Sequence, residues 1–168
     1  YVGSIVVFLF VLGLFIVKGR FKYWILSATV LSILLAWGKN FMFLTDLFLD
    51  YFPAYNKFRA VSMILVVAEF TIPLLAIMAL DTALKFKKDS KLIIENKLKY
   101  SYYIVGGFCL VLALLPSLAG DFSGMQDQKL QANGFPIDAI VEDRKSLLSS
   151  DAFRSFVFIT ISLSLIHI

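Results

Sequence analysis

Lys57 and Arg59 stand two residues apart in FPAYNKFRAVSM, residues 52–63, directly before a long apolar run. A cation at the mouth of a membrane helix can hold a phosphate at headgroup depth. Arginine does so through a planar fork, lysine as a point charge. Tyr55 and Asn56 adjoin them, and Pro53 breaks the chain just before. Upstream, Asp46 and Asp50 in FLTDLFLDYF are four apart, hence on one face if the stretch is helical. Carboxylates beside a bound phosphate can hold sugar hydroxyls or assist proton transfer from an acceptor. Asp46, Asp50, Tyr55, Asn56, Lys57 and Arg59, with Lys39 and Asn40 ahead of them, make sense as half of a lipid-phosphate site. The apolar wall below would take an isoprenoid tail. The plainer reading is that Lys57 and Arg59 only snorkel to headgroups.

Glu69 is the one ionisable residue inside the run that follows. A carboxylate there is costly and is expected to face protein or water rather than lipid. It reads either as a polar site or proton relay, or as a structural hydrogen bond to another helix. Pro73, four residues on, is expected to kink the helix.

Soluble-enzyme signals are lacking. No Gly-rich phosphate loop leads into Lys-Ser/Thr, and Val105-Gly106-Gly107 lies in an apolar run, where small residues mean close helix packing. The sequence shows no Cys/His cluster with metal spacing, so no metal site and no cofactor is assigned. A divalent metal in the full-length protein stays open. Cys109 is the single cysteine, which rules out an internal disulfide. The net charge of +4 reads as membrane topology rather than nucleic-acid affinity.

The elements that must position these residues are apolar helices. Of 168 residues, 60% are hydrophobic and 17 are phenylalanine, with a mean hydropathy of +0.83. A soluble fold this small could not hide that surface, so lipid is the solvent for much of it. No period-2 alternation with regular turns is present, so helices satisfy the backbone. The expected fold is all-α, a polytopic transmembrane helical bundle with short interfacial helices. Complete spans are expected at about 1–17, 23–37, 61–80 and 102–119, with a truncated fifth at 155–162. FLTDLFLDYF, residues 43–52, reads as a short interfacial helix ended by Pro53, with Phe43, Leu44, Leu47 and Phe48 on the side away from the aspartates. Residues 137–150, after a Gly/Gln/Asn-rich linker, read as an amphipathic helix on the same interface that feeds the fifth span.

Orientation follows from Lys and Arg. The 18–22 turn and the 81–101 loop hold Lys18, Arg20, Lys22, Lys85, Lys87, Lys88, Lys91, Lys97 and Lys99 in two short connections. The other side spreads Lys39, Lys57, Arg59, Lys129, Arg144, Lys145 and Arg154 over longer loops. The positive-inside rule then makes residues 38–60 and 120–154 extracytoplasmic. The chain opens inside an apolar segment and stops in mid-span, so residues 1–162 read as an internal stretch of a longer protein. Residues 163–168, LSLIHI, resemble the translation of a transposon-end sequencing adapter and read as a scar that takes His167 out of consideration.

The stretch AWGKNFMFLTDLFLDYFPAYNKFRAVSMILVVAEFTIPLLA, residues 36–76, resembles the YfhO family of bacterial polytopic membrane proteins, in the form common in Bacteroidota. VEDRKSLLSSDAFRS, residues 141–155, resembles a later outer segment of the same proteins. That family is similar to the GT-C glycosyltransferases. The resemblance implies a multi-pass protein of the bacterial inner membrane. Its partners would be membrane lipids, a polyprenyl-phosphate-linked sugar and an envelope glycan or protein acceptor. It implies a principal catalytic acid in a first outer loop outside these residues, so catalytic residues stay unknown and Asp46 and Asp50 are not assigned as base. Arg59 with Lys57 is the expected donor-phosphate contact. Asn56, Tyr55, Asp46 and Asp50 would shape the pocket, and Glu69 is a possible intramembrane polar site. Two other classes remain, a lipid-linked sugar flippase or other transporter, and a non-catalytic membrane scaffold.

Overall fold

The computed structural model describes residues 2–38, 42–51, 61–85, 91–124, 127 and 136–167. Among them the regular elements are all helical. The α-helices are α1 (Ser4–Ile16), α2 (Phe21–Ala36), α3 (Met42–Tyr51), α4 (Leu65–Lys85), α5 (Lys91–Leu114) and α6 (Ile137–His167). Short 3-10 turns occupy Val61–Ile64 and Pro116–Ala119.

Three stretches are long and apolar enough to cross a bilayer: α4, Ile94–Leu114 within α5, and Ile137–Leu165 within α6. They mark a membrane protein. The first two expected spans are shorter, as helices of 13 and 16 residues. Those lengths give about 20 and 24 Å of rise against a hydrocarbon core of about 30 Å. The end of α1 is set locally. Val17 turns extended at φ −70° and ψ 126°, and Gly19 takes φ +111°, a conformation open to glycine.

The later segments also shift. The apolar run expected at 102–119 lies in a helix that starts at Lys91, because KLIIENKLKY is built of good helix formers. It stops at Leu114, where Leu115 leaves helical geometry and Pro116 opens a 3-10 turn. The amphipathic segment at 137–150 and the fifth span are not two elements. α6 runs unbroken for 31 residues, about 46 Å. Its acidic and basic residues, Asp138 to Arg154, occupy the first 18 positions, and the run from Ser155 to Ile166 is free of charge.

The chain divides into two compact units, Tyr1–Lys97 and Leu98–Ile168. In the first, α4 packs against both α1 and α2. Phe8, Leu12, Leu35 and Leu75 are fully buried at the centre. A Cβ on Gly13 would lie 2.9 Å from Leu75 Cγ, 3.0 Å from the Leu75 carbonyl oxygen and 3.3 Å from Ala79 Cβ. The missing side chain lets the two backbones meet, as small residues do at membrane helix crossings. Beside that crossing, Thr29 and Thr71 join hydroxyls at 2.7 Å across α2 and α4. Thr29 donates to the Ile25 carbonyl at 2.8 Å, so Thr71 is the donor between them.

These contacts fix direction. Lys22 Nζ donates to the Leu14 carbonyl at 2.9 Å, tying the start of α2 to the end of α1. Gly13, near that turn, meets residues 75 and 79 of α4, while Thr29, farther up α2, meets residue 71. α4 therefore runs parallel to α1 and ends beside the 18–22 turn. Lys97, 5.8 Å from the Phe15 ring, returns to the same end. α3 and the Val61–Ile64 turn pack on α2 and belong to the opposite end.

In the second unit α5 and α6 are antiparallel. Tyr102 meets Thr160 at 3.1 Å, Gly106 faces Phe156, and Ser149 donates to the Ala113 carbonyl at 2.6 Å. Numbers rise along one helix as they fall along the other. Gly106 is buried against Tyr102 and Phe156, whereas a Cβ on Gly107 would meet nothing within 4 Å. Only the first of the two glycines serves packing.

Candidate functional site

Asp46 and Asp50 lie exposed on α3, one turn apart. The apolar residues do not all take the opposite side. Phe43, Leu47 and Tyr51 are exposed too, and Phe48 is half-buried. At 100° per residue, positions 43, 46, 47, 50 and 51 fall on one arc of about 140°. The helix thus presents two carboxylates and three large apolar side chains together. Tyr55, Asn56, Lys57 and Arg59 lie outside the described residues, as do Lys39 and Asn40.

Glu69 is exposed on α4, four residues from its start. That is about 6 Å of rise from Leu65 and about 24 Å from Lys85, so it sits toward the α3 end. Val66 and Phe70 beside it are exposed as well. α4 continues through Pro73 without interruption. Pro73 has no amide hydrogen to donate to the Glu69 backbone carbonyl, so the helix lacks that one ladder bond.

The most fully built polar cluster is in the second unit, and sequence reading missed it. Asp127 is buried and takes both guanidinium nitrogens of Arg144, Nη1 on Oδ2 at 2.9 Å and Nη2 on Oδ1 at 2.8 Å. The Gly124 amide adds a bond to Oδ2 at 2.6 Å. Arg144 Nη1 also donates to the Phe122 carbonyl at 2.6 Å. Phe122 is held at φ +56°, a left-handed conformation rare outside glycine. The hydrogen bonds from Arg144 and then from Gly124 hold the Asp127 carboxyl down at about 2, against 3.8 ordinarily. A Cβ on Gly124 would crowd Asp127 Oδ1 at 3.1 Å. This arrangement clamps the segment after Gly120 onto α6. Both carboxylate oxygens and both terminal guanidinium nitrogens are engaged within the cluster, which supports a structural role.

The residues are 17 apart, with Asp127 in a stretch that reads as a linker and Arg144 in one that reads as an interfacial helix. Spacing gives no signal for such a pair. Among the described residues no group of three or more His, Cys, Asp or Glu could hold a metal ion.

Comparison of the chain with protein-family models, with curated proteins and with solved structures finds no match.

Proposed function

We propose that the chain is part of a YfhO-like membrane glycosyltransferase of the GT-C kind. It would take a sugar from a polyprenyl-phosphate donor and pass it to an envelope acceptor outside the cytoplasm, in the bacterial inner membrane. The observation that supports this is the segregation of charge along the first unit. One end carries Lys18, Arg20, Lys22, Lys85 and Lys97. The other carries α3 with Asp46 and Asp50, and the start of α4. Residues 52–60, with Lys57 and Arg59, join those two helices in sequence. By the positive-inside rule the end with those five cations is cytoplasmic and the α3 end is not.

In this reading α1 and α2 also cross, a local thinning of the bilayer accommodating their length. They, α4 and α5 are four complete crossings, and the apolar half of α6 is the fifth. Trp24 and Trp37, both exposed, would mark the two interfaces of α2, about 20 Å apart. Arg59 and Lys57 would grip the donor phosphate, with Tyr55, Asn56, Asp46 and Asp50 around the sugar.

The test is sugar transfer by the full-length protein reconstituted with a polyprenyl-phosphate sugar and envelope acceptors. Arg59→Ala and Lys57→Ala are each expected to weaken donor use about tenfold or more, the worth of a charge-assisted contact. Unchanged transfer by both rejects the assignment. A flippase reading has its own support in Glu69, set beside the bond that Pro73 removes. Glu69→Gln would then abolish transport and leave transfer intact.

A further inference from the structure

An open groove of about 340 Å³ runs over the first turns of α2, lined by Arg20, Tyr23, Trp24 and Ser27. These positions are i, i+3, i+4 and i+7, so they form one stripe along the helix. Val30 and Leu31, both exposed, extend it for another turn. The stripe therefore grades from a guanidinium through two amphipathic rings and a hydroxyl to aliphatic carbon, within about 16 Å of rise. Trp24 is 74% exposed and Tyr23 61%, far more than aromatic rings in a core.

The cations at this end are not equivalent. Lys22 is spent on the Leu14 carbonyl and lies 5.2 Å from the Tyr23 ring. Lys85 pairs with Asp81 at 2.8 Å, and Lys97 sits over Phe15. Lys18 and Arg20 are exposed and have no ion pair or hydrogen bond among the described residues. Arg20 alone of the two lines the groove.

We propose that this groove binds an anionic phospholipid of the leaflet beside the 18–22 turn. Arg20 takes the phosphodiester in its planar fork. Tyr23 and Trp24 lie at glycerol depth, where such rings favour the membrane interface. Ser27 reaches an ester carbonyl, and the acyl chain follows Val30 and Leu31. Charge selects an anionic headgroup over a zwitterionic one, because among the described residues no carboxylate lines the groove to receive a choline or ethanolamine. The site lies at the other end of α2 from α3, which carries Asp46 and Asp50.

The experiment is native mass spectrometry of the purified protein with phosphatidylglycerol and phosphatidylcholine at equal concentration. The wild type is expected to retain phosphatidylglycerol in preference. Arg20→Gln is expected to weaken that retention about tenfold and remove the preference. Trp24→Ala is expected to weaken retention of both lipids. Lys85→Gln, on the same end but already paired, leaves the preference unchanged. Both groove side chains are exposed, so an unaltered helical circular dichroism spectrum accompanies each loss. Wild-type preference in Arg20→Gln overturns the proposal. So does equal loss in Lys85→Gln, which would mean bulk charge, and so does displacement of the lipid by millimolar inorganic phosphate, which would mean a free-anion site.

Discussion

Gly13→Ala probes the crossing that sets the direction of α4. The new methyl would stand 2.9 Å from Leu75 Cγ and 3.0 Å from the Leu75 carbonyl oxygen. Carbon contacts settle near 3.5–4.0 Å, so a separation of about half an ångström is needed. Leu75 Cγ could turn aside, but the carbonyl belongs to the α4 backbone. Leu75 and Ala79 are both fully buried, so the helix itself must shift. Overpacking of this kind costs about 1–3 kcal/mol. Against it stands the gain from replacing a helical glycine by alanine, about 0.5–1 kcal/mol. Gly107→Ala isolates that gain, because its methyl meets nothing within 4 Å. Unfolding of both variants in mild detergent, followed by tryptophan fluorescence over a denaturant series, gives the difference directly. Gly107→Ala is expected to be neutral or slightly stabilised, and Gly13→Ala to fall below it by about 1–3 kcal/mol. Equal stability of the two would refute the close crossing and the parallel course of α1 and α4 derived from it.

The Asp127–Arg144 clamp makes a pH prediction. The folded carboxyl titrates at about 2 and the ordinary one at 3.8, so its stabilisation is complete above about 4 and is lost as pH falls through 2. Limited proteolysis of residues 120–127 is expected to stay flat from pH 8 to 5 in the wild type and to rise at all these values in Asp127→Asn; identical cleavage of the two would remove the clamp's role. The Thr29–Thr71 pair is expected to show a coupling of about 0.6 kcal/mol, and at most about 1.7, in a double-mutant cycle with valine. Independent effects of the two substitutions would mean that the hydroxyls do not hold α2 to α4.

The sequence alone determined the class of fold. Apolar run length and the lack of period-2 alternation are local properties, and they are enough to specify helices in lipid. The break near Lys18–Lys22 was legible for the same reason, since charge and glycine stop an apolar helix where they stand, whereas α4 runs to Lys85, past the end expected at Leu80. Hydropathy marks where lipid lies, however, and not where the hydrogen-bonded ladder ends. That is why α5 begins at Lys91 instead of Tyr102, and why α6 absorbs both a charged and an apolar segment.

Only the tertiary structure decided which residues meet. Gly13 has no local mark that distinguishes it from Gly3, yet it alone of the two lies against a neighbouring helix. Asp127 and Arg144 are 17 residues apart in the sequence, and nothing in either neighbourhood names the other. Of the six residues expected to line a donor pocket, Asp46 and Asp50 share one exposed arc of α3, a matter of helical period that spacing could foresee. The company they keep there, Phe43, Leu47 and Tyr51, follows from the same period, and their exposure is what the tertiary structure adds. Periodicity fixes which residues share a face, while packing against another helix fixes which face is covered.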